Sequence, residues 1–402
     1  MDEKILDRIY EISERRISET DLSFRRSLCR RIDWSQRLVA LFGPRGTGKT
    51  TLLLQHVKET HGSSGTALYL SLDNIWLSSR EAYEVAEYHA KHGGTFLGLD
   101  EVHFMDGWQT LVKNLNDDFR RLHVAYTGSA LLRLEKTGGD LSRRQAVERL
   151  FPMSFREFLA FEGIAEFEPV TVPELLSGHV SVARRVLDRL GVVLPYFEAY
   201  LSHGAYPFYK EAGPHFRDML LRAANQVLDV DWPKTDDVEP QTIRKARRML
   251  SVLSSVPPQT VNVTALCREL EVDRKQGVRV LYSLERAGLL RLLSSSSKRL
   301  KTLSTPDKIY CADSNLMAAL SADPDAGTQR EAFMLSQLSA VSSVEFPPRG
   351  DFLVDGRWLF EVGGRGKTFR QIADIPDSFL AVDGIEVGRG NRIPLWLFGF
   401  LY

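Results

Sequence analysis

The sequence predicts an α/β chain built on a parallel sheet, followed by a helical stretch, a winged-helix pattern and a small α+β segment. Three observations carry this. An apolar run, Leu38 to Phe42, leads into Gly43-Pro44-Arg45-Gly46-Thr47-Gly48-Lys49-Thr50, and Thr51-Leu52-Leu53-Leu54 can continue a helix. This is the phosphate-loop pattern G-x-x-x-x-G-K-[ST] in its strand–loop–helix setting. A second apolar run, Thr95 to Leu99, ends in Asp100-Glu101, with a third such run, Ala67 to Leu72, between the two. From Gln241 onward the periodicity changes to three helices and a strand, with basic residues concentrated in the last helix and beyond.

Composition bounds the reading. The 402 residues exceed one small core, and two to four domains are expected. The formal net charge is zero, which excludes a global basic field for nucleic acid, so any such role must rest on local clusters. Cys29, Cys267 and Cys311 lie far apart without metal-ligand spacing, as expected for reduced, buried thiols and a cytoplasmic protein. No signal peptide is read at the start, and no apolar run approaches a membrane span of about 18 residues.

Taken in order, residues 1–35 read as helical and charged, with Ile5, Ile9, Tyr10, Ile12 and Ile17 apolar. Arg25, Arg26, Arg30 and Arg31 form a basic cluster suited to a solvated face or to contact with nucleotide, a neighbouring subunit or nucleic acid. The first strand, the loop and its helix follow. Glycines at 43, 46 and 48 let backbone N–H groups approach phosphate oxygens, and the helix start directs its positive dipole end there. The binding set is Gly43, Pro44, Arg45, Gly46, Thr47, Gly48, Lys49, Thr50 and Thr51. Lys49 suits the β- and γ-phosphates, and the Thr50 hydroxyl suits Mg²⁺.

After a helix over 79–92, Asp100 and Glu101 form a Walker B pattern. Asp100 would hold Mg²⁺, and Glu101 would polarise the attacking water. Trp108 to Leu115 is amphipathic and leads to a strand from His123 to Thr127, then Gly128-Ser129. A polar group at that strand tip can contact the γ-phosphate; Thr127 and Ser129 are candidates, and Ser129 is preferred.

With Phe151-Pro152-Met153-Ser154-Phe155-Arg156-Glu157-Phe158 the chain resembles a known group. It is similar to the large prokaryotic family of AAA-type ATPases in which a P-loop domain precedes a C-terminal domain of unknown function. The resemblance also uses Gly43–Thr50, Leu99-Asp100-Glu101-Val102, Trp108, Thr127-Gly128-Ser129, Gly204-Ala205-Tyr206-Pro207 and Asp351-Phe352…Phe360-Glu361-Val362. It implies ATP with Mg²⁺ as the ligands. It also implies a trans-acting or sensor arginine at Arg144, where the family's Gly-Arg pair is replaced by Arg143-Arg144. An arginine acting across subunits requires a homo-oligomer. Adenine preference rests on the resemblance, and no Asn-Lys-x-Asp guanine signature follows the loop.

Residues 158–240 read as a helical lid or connector after the ATPase domain of 1–157. Residues 241–303 read as a winged helix: Ile243 to Leu253, then Thr264 to Leu270 with Thr264 as its cap, then Arg274 to Ala287 and a wing. Arg274, Lys275, Arg279, Arg286, Arg291, Lys298, Arg299 and Lys301 face one acidic residue, Glu285, which suits double-stranded DNA through 274–301. Residues 304–402 read as an inactive PD-(D/E)xK-like domain. Asp351 and Glu361 supply two carboxylates, but Gly363 stands where the lysine belongs. Lys367 reaches the site only if Gly363–Gly366 folds back. The final run, Ile393 to Tyr402, reads as a terminal strand. The resulting expectation is an ATPase of AAA type acting as a nucleotide-driven switch. The alternatives are a DNA-binding regulator or defence protein gated by ATP and, more weakly, a metal-dependent nuclease.

Overall fold

The structure, a computed structural model, describes residues 3–402 except 63, 75–76, 131–140, 142, 256, 258–261 and 297–303. Two compact units divide the chain. The first takes Met1–Phe151 and Asp229–Asp237; the second takes Pro152–Leu228 and Val238–Tyr402.

The first unit holds α1 (Glu3–Glu19), β1 (Leu38–Gly43), α2 (Lys49–Thr60), β2 (Ala67–Ser71), α3 (Ser79–Lys91), β3 (Phe96–Asp100), α4 (Trp108–Asp118), β4 (His123–Ser129) and β5 (Ala146–Arg149). The strands form one parallel sheet in the order β2-β3-β4-β1-β5. Its central strands are mostly apolar up to their carboxyl ends because both faces are covered. Leu38, Ala40 and Phe42 pack toward α3 and α4, while Val39 and Leu41 pack against Leu52, Leu53 and Val57 of α2. Burying each such side chain contributes about 1.5–3 kcal/mol. Ser78 and Glu81 close a reciprocal cap on α3, which fixes its start. The strand β5 escapes sequence patterning because its four residues alternate between half-buried and exposed.

The second unit is organised around aromatic residues. Phe155, Phe158, Phe197 and Tyr200 from the helical stretch share one core with Phe333, Phe352, Phe360, Trp396, Phe398 and Phe400. This corrects the separation of 158–240 from 304–402: the apolar faces of the early helices are buried by the C-terminal strands and tail. Residues 229–237, read as part of that connector, pack in the first unit instead. Helices Pro240–Ser255, Val263–Glu269 and Arg274–Arg286 precede an antiparallel pair, Leu290–Leu293 with Lys308–Cys311. The cap of the middle helix is Asn262, whose side chain accepts from the Thr264 and Ala265 amides, and not Thr264. The last sheet joins short strands at 344–345, 352–354, 358–363, 378–382 and 392–394. The tail is not a long strand. Arg392–Pro394 pairs in the sheet, and Leu395–Phe400 then coils as a 3-10 helix, buried on all sides. No described helix is long and apolar enough to cross a membrane.

Candidate nucleotide site

Parallel register brings the chemistry to one edge of the first sheet. Gly43 lies beside Ser129, Leu41 beside Thr127, and Leu99 beside Tyr126. The carboxyl ends of β1, β3 and β4 therefore present the loop, Asp100-Glu101 and Thr127–Ser129 together, at the edge where open parallel sheets bind ligands. Two glycines are required by geometry. A Cβ at Gly43 would lie 2.3 Å from the Leu150 carbonyl oxygen, and Gly48 starts α2 at φ 94°. The free amides of the α2 start point at the same concavity.

Lys49 is buried and donates to the Gly43 and Pro44 carbonyls at 3.0 Å each. Burial pulls its pKa down, against the opposing charges of Glu101 and Asp100. The Thr50 hydroxyl donates to Asp100 at 3.1 and 2.9 Å from the two carboxylate oxygens. This hydroxyl–carboxylate pair beside a buried ammonium is the donor set that a magnesium-bound phosphate chain needs, so the residues fit that ligand.

Asp100 is held from three sides. Besides Thr50, the Tyr69 hydroxyl donates to it at 2.7 Å, and the Thr127 hydroxyl donates to its other oxygen. Burial and the adjacent carboxylate push the Tyr69 phenol well above its ordinary range, so it stays a donor. Thr127 also accepts from the Glu101 amide at 3.0 Å. That bond steadies Glu101, which sits in the left-handed region at φ 54°, a conformation uncommon for a residue with a Cβ. Thr127 is therefore the central positioning group, and Ser129 lies one step further along the edge.

Besides Tyr69, His103 and Asp231 join the site without having been singled out from the sequence, and Arg26 of the basic cluster braces it. His103 faces Glu101 Oε2 through Nδ1 at 3.3 Å and Asp231 Oδ1 through Nε2 at 3.5 Å. Asp231 also meets Arg45 of the loop at 3.3 Å. Burial raises the Asp231 carboxyl, but His103, Arg45 and Ser129 outweigh it and hold the group below the usual carboxylate range. Arg26, buried, donates to the Thr47 carbonyl at 2.6 Å and the Phe151 carbonyl at 2.7 Å, bracing the loop from behind. Pattern gave no signal for Asp231, which is separated from the loop by nearly two hundred residues.

Arg144 is not brought to this pocket. It pairs with Asp117 near the end of α4, just ahead of the start of β5, which is in register with the beginning of β1. That is the sheet edge opposite the loop.

The other two predicted regions lie in the second unit. Arg274, Lys275 and Arg279 are exposed along their helix. Arg291 turns inward instead and donates to the Ala312 carbonyl, and burial lowers its pKa. Lys298, Arg299 and Lys301 lie outside the described residues. In the last sheet, Asp351 accepts from the Val362 amide at 2.8 Å, beside Glu361. Gly363 makes room for the displaced lysine: a Cβ there would meet the Lys367 side chain at 2.7 Å, and Lys367 pairs with Glu361. The loop does fold back as that reading required. However, Lys308 Nζ sits 3.0 Å from Asp351 and 3.3 Å from Glu331. Among the described residues no group of three or more acidic, His or Cys side chains is disposed to hold a metal.

The sheet order, the loop and its carboxylate partners define a P-loop nucleotide-binding fold. Residues 35–159 match the family model of the AAA domain, so this part of the chain is similar to AAA-type P-loop domains. Residues 194–326 match a domain of unknown function (DUF8612). Over 126 residues the chain is 26% identical to an uncharacterized protein of Haemophilus influenzae, covering 29% of this chain and 32% of that protein. Over 81 residues it is 32% identical to protein RecA of Borrelia turicatae, covering 15% and 22%. The chain thus spans a third or less of the curated relatives it matches. Among solved structures, that of C. elegans PCH-2 aligns with 71% of this chain and 66% of its own, at 14% identity and TM-score 0.27. Domain III of the Thermotoga maritima replication initiation protein DnaA aligns over 42% and 80%, at 21% identity and TM-score 0.24.

Proposed function

We propose that this chain is a magnesium-dependent ATPase that works as a nucleotide-driven switch. The observation that carries this is the convergence of Lys49, Thr50, Asp100 and Glu101 at one sheet edge, with Thr50 already bonded to Asp100. Loop amides and the α2 start bind the phosphates. Lys49, now on the two loop carbonyls, would neutralise the terminal phosphates, and Thr50 and Asp100 would hold the metal. Magnesium, when bound, supplies Lewis-acid charge at the phosphate oxygens. Glu101, oriented through its amide by Thr127, accepts the proton of the attacking water. Ser129 contacts the terminal phosphate or that water, and Arg144 serves the pocket of a neighbouring copy in a homo-oligomer. The test is Glu101→Gln: it retains ATP binding and loses turnover. Turnover at the native rate would refute the assignment of the base.

A second reading has its own observation. Three helices precede an antiparallel pair, an order that supports a winged-helix reading, and Arg274, Lys275 and Arg279 are exposed on the third helix. In this reading that helix contacts the phosphates of double-stranded DNA, and ATP gates the contact. Anisotropy over a salt series tests it. Affinity should fall steeply with salt and weaken in Arg279→Glu. An absent or salt-insensitive signal in both nucleotide states removes it. The C-terminal carboxylates are read as an inactive nuclease-like scaffold, with Asp351 paired to Lys308 and Glu361 to Lys367.

A further inference from the structure

Asp231 is an unusual neighbour for a phosphate pocket. Its side chain is 3% exposed, and it faces Arg45 of the loop and His103 beside Glu101. Its charge also acts on Lys49. An anion already stands among the cationic groups that a nucleotide's terminal phosphate would use. The carboxylate comes from neither Walker strand. It comes from Asp229–Asp237, a nine-residue return of the chain into the first unit. Both ends of that return, Leu228 and Val238, belong to the second unit.

We propose that Asp231 is a displaceable internal anion: without nucleotide it occupies Arg45, and the terminal phosphate of ATP takes its place. This rests on the ATPase reading of the same pocket. Two negative groups at one half-buried guanidinium repel each other, so the phosphate and Asp231 compete. ATP then favours the state in which Asp231 has left Arg45, and ADP, lacking the third phosphate, does so much less. By linkage, whatever holds Asp231 in place weakens ATP by the same factor that ATP weakens the hold. The bistable element is the 229–237 return. Its displacement reaches the second unit through the covalent chain at Leu228 and Val238. This names the regulated contact that a nucleotide switch needs.

The segment carries its own reporter. Trp232, next to Asp231, is buried, and Asp231→Asn keeps the shape while removing the charge. Calorimetric titration of the full chain with ADP and with a non-hydrolysable ATP analogue reads the competition. Asp231→Asn should bind the ATP analogue about tenfold more tightly, the equivalent of about 1.4 kcal/mol, and ADP less than about threefold more tightly. In the native chain the ATP analogue, and not ADP, should shift the Trp232 emission, taken as the difference from Trp232→Phe. That second readout stands even if Asp231→Asn folds poorly. If nucleotides bind through Lys49, as shown by loss in Lys49→Ala, but neither Asp231→Asn affinity nor Trp232 emission changes selectively with ATP, the latch is wrong. If no nucleotide binds, or binding survives Lys49→Ala, the pocket reading itself fails and the latch with it.

Discussion

Thr127→Val is the most informative single change at the site. The side chain is fully buried, donates to Asp100 and accepts from the Glu101 amide. Valine keeps the volume and removes both bonds. Losing a hydrogen bond to a charged group costs about 1.5–3 kcal/mol, and leaving the part-buried Glu101 amide unpaired adds about 1 kcal/mol, the low end for such a group. The two share one hydroxyl and do not add fully, so the first unit should lose about 3 kcal/mol of stability. Glu101 depends on the same hydroxyl to hold φ 54°. If half of the loss falls on its orientation, turnover drops about tenfold, at about 1.4 kcal/mol per decade. ATP affinity should change much less, because Lys49 and the loop amides are untouched. The assay is steady-state phosphate release with urea unfolding on native, Thr127→Val and Thr127→Ser chains. Serine keeps the hydroxyl and should restore both quantities. Native turnover and stability in Thr127→Val would refute the role given to this residue.

Gly43→Ala should weaken nucleotide binding and destabilise the first unit by about 1–3 kcal/mol, because the new methyl meets the Leu150 carbonyl; thermal melting and ATP titration check it. His56 stacks on Trp34 at 3.7 Å between ring centres, and burial, then His61, holds its imidazole down at about 4. A depressed imidazole means that the unfolded chain binds the extra proton first as pH falls. Stability should therefore be full above about 6.5 and decline toward pH 4, by about 1–2 kcal/mol after allowance for solvent screening. His56→Phe should flatten that slope in urea melts. Lys308→Met should destabilise the second unit by about 3–5 kcal/mol, since Glu331 and Asp351 lose their shared cation, and unfolding by urea reads it.

Much of the first unit was legible because its signals are local. An apolar strand before a glycine loop, and another ending in Asp100-Glu101, define the register that brings Lys49, Thr50 and Asp100 together. Asp231, His103 and Tyr69 were not legible, and Arg26 was visible only as one of a basic cluster, without its contact to the loop. Each acts through a contact between distant stretches, and none has a pattern of its own. Arg144 was carried by resemblance alone, and its position along the sheet came only from the pairing of β5 with β1. The C-terminal tail was misread because an apolar run buried on every side has neither the alternation of a strand nor the stripe of a helix. Lys367 shows the converse: a missing lysine at 363 was visible, but its replacement in space depended on how a glycine turn folds.

The most direct measurement is the titration of native and Lys49→Ala chains with ATP in the presence of magnesium, followed by calorimetry. Saturable one-to-one binding to the native chain, weakened at least a hundredfold in Lys49→Ala and dependent on magnesium through Thr50 and Asp100, is the expected result. Equal binding by both chains, or none by the native one, would contradict the assignment of this sheet edge as the nucleotide site.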